Sequence, residues 1–478
     1  MKRYLAMSQL RIACAATVLT FVIAAAQAEP APPPAEEPGP ETGLWTRNNL
    51  LGDAGGVRPA LSDLGISLGL QDINEVWGNV TGGTKQGASY NGLTIFGIGL
   101  DTGHATGWEG GTINVSALQI RGRNIATDNL QSLQTPSGIL ADATTRLWEV
   151  WIQQSFLGGR VDVKLGQQSI DQEFITSAAS GLFLNTMMGW PVLPSENLYA
   201  GGPAYPLSSL GVRLRAKPTD AITTLLGVFA DNPPGGPFND DGQLRGSTRW
   251  GGNFNLRTGA LVVGEIQYAL NQADSNAAEN ADKASGLPGL YKLGFWYDSG
   301  PFPSQQFDSA GVPLASPDSN GTAMLLRNNF SIYGVADQMV WRPTPDSPRA
   351  ATLFARIMGG PGDRNLINFS INAGVTLKAP FAGRDDDTTG LGFGVARVSD
   401  GARAFDRSVA FFSGMPFPVR TSEVFLELTY QVVLAPWWQV QPDFQYVWNV
   451  GGGILNPNNP TQRIGNEAIF GLRNTITF

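Results

Sequence analysis

Long runs of alternating apolar and polar side chains constrain this chain more than any other feature. A strand sends successive side chains to opposite faces, so a period of two makes one face apolar and the other polar. Over 366–378, Ile367, Phe369, Ile371, Ala373, Val375 and Leu377 oppose Asn368, Ser370, Asn372, Thr376 and Lys378. Over 423–434, Val424, Leu426, Leu428, Tyr430, Val432 and Leu434 oppose Glu427, Thr429 and Gln431. Over 437–449, Trp438, Val440, Phe444, Tyr446 and Trp448 oppose Gln439, Gln441, Asp443, Gln445 and Asn449. Over 160–168, Val161, Val163 and Leu165 oppose Arg160, Asp162, Lys164 and Gln168. A soluble sandwich would alternate too, but its strands usually run about 5–6 residues, whereas bilayer-spanning strands need about 9–11. Most runs here have the longer length. Trp77, Trp148, Trp341, Trp438, Trp448 and Phe478 fall near their ends, where membrane barrels carry aromatic girdles. No run beyond the N-terminus reaches 18 apolar residues, so no transmembrane helix is expected. The fold class predicted is all-β: a transmembrane antiparallel barrel, closed because lipid cannot satisfy an open sheet edge.

The pattern yields 17 strand candidates: 66–77, 93–101, 112–121, 146–156, 160–168, 210–218, 221–231, 249–257, 261–270, 290–298, 330–341, 351–359, 366–378, 390–399, 423–434, 437–449 and 467–478. Bacterial single-chain barrels use an even number, so 16 strands are expected, with 18 as the alternative. Short turns at 157–159, 218–220 and 258–260, counted forwards, and at 435–436 and 342–350, counted backwards, mark the periplasmic rim. The two counts collide between 271 and 329, which places the miscounted strand there. A barrel of this size encloses water rather than a side-chain core.

The first 28 residues read as a cleaved signal peptide. Lys2, Arg3 and Arg11 precede the apolar stretch 12–26, and Ala26-Gln27-Ala28 forms an A-x-A cleavage site. Cleavage removes the only cysteine, Cys14, so no disulfide framework is available. Residues 29–43, rich in proline and glutamate, are expected to be a flexible linker. Residues 44–64 are expected to form a periplasmic segment with room for a short helix, and 65–478 the barrel. The formal net charge of −8 argues against a nucleic-acid partner. With one histidine, His104, a histidine-rich metal site and a His-dependent triad have almost nothing to build on. Gly65-Ile66-Ser67-Leu68-Gly69 matches a nucleophile elbow but opens an alternating strand instead of a strand–turn–helix. No catalytic residue, metal or cofactor is expected.

Selectivity is expected in 169–209, the longest early gap and, by the strand count, the third external loop, with a short helix around 171–184. Loops this long are uncommon unless functional. It carries Asp171, Gln172, Glu173, Trp190 and Tyr205, with Gln168 at its approach. Glu149 and Trp151 share a face of one strand, Arg213 and Arg215 of another, and Gln441, Asp443 and Gln445 of a third. Sugars need bidentate hydrogen-bonding groups and an aromatic platform, which Trp190 or Tyr205 would supply. Arginine outnumbers lysine 25 to 7, a bias toward fixed, fork-shaped donors.

These residues resemble the carbohydrate-selective porins of the OprB family. The resemblance is carried in order by Leu44-Trp45-Thr46-Arg47, Gly52-Asp53-Ala54-Gly55-Gly56-Val57-Arg58, Leu64-Gly65-Ile66 and Arg146-Leu147-Trp148-Glu149-Val150-Trp151. It continues through 166–174 (GQQSIDQEF), Gly189-Trp190-Pro191, 202–207 (GPAYPL) and Gln441-Pro442-Asp443-Phe444-Gln445-Tyr446. Ala54 departs from the tryptophan common in the family. The resemblance implies a 16-stranded outer-membrane barrel of a Gram-negative bacterium that passes mono- or small oligosaccharides, glucose-like first, without a cofactor. Outer-membrane lipid is then the surrounding partner, and a homo-oligomer stays open. The alternative is a general or anion-preferring porin.

Overall fold

A computed structural model describes residues 43–240, 242–271 and 286–478. The expected signal peptide and nearly all of the expected linker lie outside them. Sixteen strands close into one antiparallel barrel. In chain order they are β1 Ile66–Thr81, β2 Gly87–Asp101, β3 Gly111–Gly122, β4 Thr144–Phe156, β5 Val161–Gln168, β6 Ser209–Ala216, β7 Ile222–Ala230 and β8 Ala260–Leu270. They continue as β9 Gly289–Asp308, β10 Ala323–Trp341, β11 Ala350–Gly359, β12 Ile367–Lys378, β13 Thr388–Val398, β14 Ser422–Ala435, β15 Trp438–Trp448 and β16 Glu467–Thr477. Each strand pairs with the next, and β16 closes the ring onto β1, with Gln71 opposite Thr477. Closure satisfies the backbone of every strand without an exposed edge.

The alternation sorts the two faces. Leu353 and Ile357 of β11, Leu391 and Phe393 of β13, Leu428 of β14 and Leu472 of β16 are exposed on the outer wall. Arg356, Asn372, Glu427 and Asp443, on the opposite faces of their strands, are buried. They are buried because two long connections, 123–143 and 169–208, bond to the inner wall.

Four sequence expectations need correction. The miscounted strand is 249–257, not one between 271 and 329. Its Asn-Phe-Asn-Leu alternation imitates a strand, but Gly246–Trp250 is a 3₁₀ turn. Asn253 and Asn255 spend their amides on the Pro233 and Asn232 carbonyls, at 2.7 and 2.9 Å, while Phe254 and Leu256 point into the open. The connection from β7 to β8 is therefore one long loop, 231–259, and the supposed short turn at 258–260 is its end. Second, 171–184 holds no α-helix: it contains 3₁₀ turns at Ile170–Gln172 and Ser180–Leu182. Third, Trp77 and Trp148 are not girdle residues. Trp77 is wholly buried and donates its indole N–H to Glu75 at 2.7 Å. Trp148 meets the Tyr205 ring edge-on at 6.3 Å. A bulge explains Trp148: Val115 pairs with Val150 and Ala117 with Leu147, so Trp148 and Glu149 share one opposing position and both turn inward. Fourth, the inner face is not uniformly polar. Leu225, Phe229, Leu261, Val263, Trp296 and Tyr333 form an inner apolar cluster against Ile170, Phe174, Trp190 and Leu193 of the long loop.

Outside the barrel, residues 43–64 hold one short helix, Val57–Ser62. This segment bonds to the barrel at Leu50 N to Thr477 O, 2.8 Å, and Arg58 to the Leu68 carbonyl, 3.1 Å.

Candidate functional site

The loop between β5 and β6 folds back into the barrel. A loop backbone taken inside must find partners for its N–H and C=O groups, and wall side chains provide them. Wall carboxylates take the N–H groups. Glu265 accepts from Ile175 at 2.9 Å, Asp337 from Ala178 and Ala179 at 3.3 Å, and Glu427 from Leu184 at 2.5 Å. One wall cation takes the carbonyls. Arg356 of β11 donates to Ile175, Gly189, Met187 and Met188 at 3.2, 2.8, 2.6 and 2.5 Å. The loop's apolar residues Leu182, Phe183, Met187 and Met188 pack on Trp77, Phe354 and Phe425. Gly390 and Gly392 of β13 make room for them: a Cβ at Gly390 would lie 2.7 Å from the Phe183 ring, and one at Gly392 would lie 2.7 Å from the Met188 methyl.

The connection 123–143 is held in the same way. Glu423 accepts from Leu133 N at 3.0 Å and Gln134 N at 2.7 Å, and Ser137 donates to Glu75 at 2.6 Å. Thr135 and Thr186 hydroxyls meet at 2.6 Å, joining the two loops.

Beside the loop runs a row of alternating charges. Cross-strand register sets it: Asp162 pairs with Arg215 and Lys164 with Arg213. Asp162 contacts Arg213 and sits 2.5 Å from Arg215 Nε. Arg213 Nε lies 2.5 Å from Glu173, and its other arm donates to Gln153 at 2.9 Å. Glu173 also binds Lys164, whose ammonium lies 4.5 Å from the centre of the Trp151 ring. Burial alone would raise the Glu173 carboxyl; Lys164 and Arg213 outweigh it and hold it down at about 2. Asp162 and Arg213 are buried, whereas the side chains of Glu173 and Arg215 keep 21% and 37% of their exposure. The row thus presents a carboxylate and a guanidinium to the lumen, next to an aromatic ring.

The structure brings Glu149, Trp151, Asp171, Glu173, Arg213 and Arg215 together around the start of the loop. Within that group, Glu149 accepts from Ser169 N at 2.9 Å and Asp171 from Tyr205 N at 3.0 Å, so both hold the loop's course. Gln172 remains partly exposed. Six expected contacts with solute are spent on structure instead. Gln168 is buried and donates to Gly211 O at 2.9 Å. Gln441 donates to Leu182 O at 2.7 Å. Gln445 donates to Pro136 O at 2.8 Å and to Asp443 at 3.0 Å, and all three of these residues are buried. Trp190 offers no free ring face: it is 7% exposed within the apolar cluster, and its indole donates to Gly201 O at 2.9 Å. Tyr205 is half-buried and donates to Ile139 O at 3.0 Å. Gln441 and Gln445 are wall groups taken up by the inward loops, whereas Trp190 and Tyr205 are loop groups that hold the loops' own course. Sequence reasoning missed Glu75, Asp337, Arg356 and Glu423 as loop holders. Alternation places them on the inner face, but nothing local marks them as bonded to a distant loop.

A closed 16-stranded barrel with an apolar outer wall and an inward loop is a membrane channel, and comparison with known proteins agrees. The model of the carbohydrate-selective porin, OprB family, matches residues 85–478. Porin B of Pseudomonas aeruginosa is 24% identical over 90% of this chain and 91% of its own length. The high-pH structure of Pseudomonas putida OprB superposes with a TM-score of 0.77 at 23% identity, covering 91% of this chain and 100% of that one. The low-pH structure of the same protein gives 0.54 at 18% identity, covering 91% and 99%. The chain belongs to the carbohydrate-selective porin, OprB family. It is an outer-membrane channel of a family whose substrates are carbohydrates, and not an enzyme.

Proposed function

We propose that the chain carries out passive, facilitated diffusion of neutral monosaccharides, glucose-like first, past the row Arg215–Asp162–Arg213–Glu173–Lys164 and the Trp151 ring. The observation that carries this reading is that row. Its charges are mutually paired, so it offers donors and acceptors to hydroxyls without a strong field. Trp151 beside Lys164 supplies an apolar face for ring C–H groups. Of the expected path residues, Trp151, Gln172, Glu173, Arg213 and Arg215 are retained for this role. Binding stays weak, because a tight site would block flux.

Single-channel conductance in a planar bilayer, with and without glucose, tests the proposal. A glucose-dependent fall or flicker in current supports it; an open current indifferent to several sugars refutes it. One observation favours a second reading, an anion-preferring porin: the row holds three cations against two carboxylates. A reversal potential shifted toward the anion, together with indifference to sugar, would establish that reading instead.

Export through cleavage after Ala28, a flexible 29–43 linker and a periplasmic 44–64 segment complete the proposal, supported by the A-x-A site and the proline-rich composition. N-terminal sequencing of the outer-membrane form checks the cleavage.

A further inference from the structure

Four arginines of the inner wall are buried: Arg146, Arg213, Arg356 and Arg473. A guanidinium cannot shed its charge, so once buried it needs partners. Three of the four have them. Arg213 has Asp162 and Glu173, Arg473 has Glu75 at 2.6 Å, and Arg356 has four loop carbonyls. Arg146 of β4 is different. It is 4% exposed, its Nε and Nη1 are buried without a partner, and among the described residues no carboxylate pairs with it.

Arg146 lines a small cavity between the wall and the loop 231–259. Gln167 and Ser208 complete the wall side, and Thr248, Gly251 and Asn253 belong to the loop. The loop sits tightly on β4 here: Gly251 has a φ of 74°, and a Cβ on it would lie 1.8 Å from the Leu147 carbonyl oxygen. Carbonyls at this joint are already engaged. Trp148 O accepts from Gln167 at 2.9 Å and also from Ser208. Gly251 O accepts from Gln167 at 3.1 Å, and Pro233 O accepts from Asn253 at 2.7 Å. One further donor is left over. The Thr248 hydroxyl has no partner, and the residue is 2% exposed. The cavity therefore collects an uncompensated positive charge and a free hydroxyl, while the protein supplies no anion.

We propose that this cavity binds a small monovalent anion of halide size, held by the Arg146 guanidinium and the Thr248 hydroxyl. A single positive charge sets the valence, and the tight seat of the loop sets the size. The anion would pin the loop 231–259 to the wall, apart from the charge row, in which Arg146 takes no part. Water is the competing occupant. It would give the unpartnered Gln167 Oε1 a donor, but it would leave the buried charge uncompensated.

Bromide is the probe, because it replaces chloride and scatters anomalously. Crystals of the full chain grown without halide and soaked in bromide should show an anomalous peak within hydrogen-bond reach of Arg146 and Thr248. In detergent solution, the unfolding temperature should rise with chloride, in gluconate at constant ionic strength, and then level off, as binding to the folded form requires. Arg146→Gln should abolish the chloride response. Thr248→Val removes one hydroxyl from the loop and should raise the half-saturating chloride concentration about tenfold, the scale of one hydrogen bond to a charged group. Heat-dependent electrophoretic mobility reports whether each barrel folds; if Arg146→Gln does not, Thr248→Val carries the test. Water or an empty cavity in the bromide-soaked crystal overturns the proposal. So does a peak without any response of the wild type to chloride, which means binding at crystal concentration only. A chloride response that folded variants keep unchanged overturns it as well.

Discussion

Glu173 lies between Lys164 and Arg213, and its charge state follows from them. Burial opposes ionisation, but the two cations hold its carboxyl down at about 2 against an ordinary 4.5. A carboxyl held low stabilises the folded form above its unfolded value, and that contribution fades as pH falls from about 4.5 toward 2. In the folded channel the carboxyl stays ionised well below 4.5, so glucose-dependent current is expected to be flat from neutral pH through 4.5 and to decline only as pH approaches about 2, as bilayer recordings across pH would check. Glu173→Gln should shift the reversal potential toward anions and weaken the glucose effect, because Lys164 loses its carboxylate and Arg213 one of two while the loop anchors remain. Arg356 has a different task. Its guanidinium holds four loop carbonyls and is buried beneath the loop. Arg356→Gln leaves most of them unpaired, at about 1–3 kcal/mol for each buried group. The expected result is a noisier, larger open-channel current from a barrel that still shows heat-dependent mobility. Alternation could place Arg213, Glu427 and Gln441 on the inner face. It could not say that Arg213 would join a charge row while Glu427 and Gln441 would be spent on the loop, because that depends on where residues 182–185 come to rest.

The inward loop is held both by hydrogen bonds from strands around the wall, β4, β8, β10, β11, β14 and β15 among them, and by apolar contact, and β13 shows how a strand adapts to it. Gly390, Gly392 and Gly394 weaken a strand by propensity, yet here the first two leave space for Phe183 and Met188 and the third for the Phe425 ring. Gly392→Leu should displace that part of the loop and raise conductance while reducing glucose discrimination; unchanged conductance would show that the loop is fixed without this contact. Element boundaries were legible wherever alternation was long. Candidates 366–378, 423–434 and 467–478 match Ile367–Lys378, Ser422–Ala435 and Glu467–Thr477 closely. The failure at 249–257 has a physical cause: Asn side chains bonding backbone carbonyls reproduce a period of two without a neighbouring strand. Trp148 was misplaced because one extra residue opposite Ser116 reverses which face it occupies, and a bulge has no composition signature.

At the scale of the whole molecule, closure turns strands that are each amphipathic into two separate environments, lipid outside and loop-filled lumen inside. The odd strand count carried its own correction, since a closed antiparallel ring whose ends meet on one rim needs an even number. Removing 249–257 restores it and makes 231–259 a long loop on the rim opposite the chain termini.

The sequence by itself determined the sixteen true strands, most of their faces and the family, because a period of two and ordered local motifs are properties of neighbouring residues. Tertiary structure alone decided which inward groups stay open to the lumen and which hold the loops. Ile175 reaches Arg356, Leu184 reaches Glu427 and Asn185 reaches Gln445, over separations of 181, 243 and 260 residues. Such pairings arise only when a loop entering a closed barrel must satisfy its backbone against whatever the far wall presents.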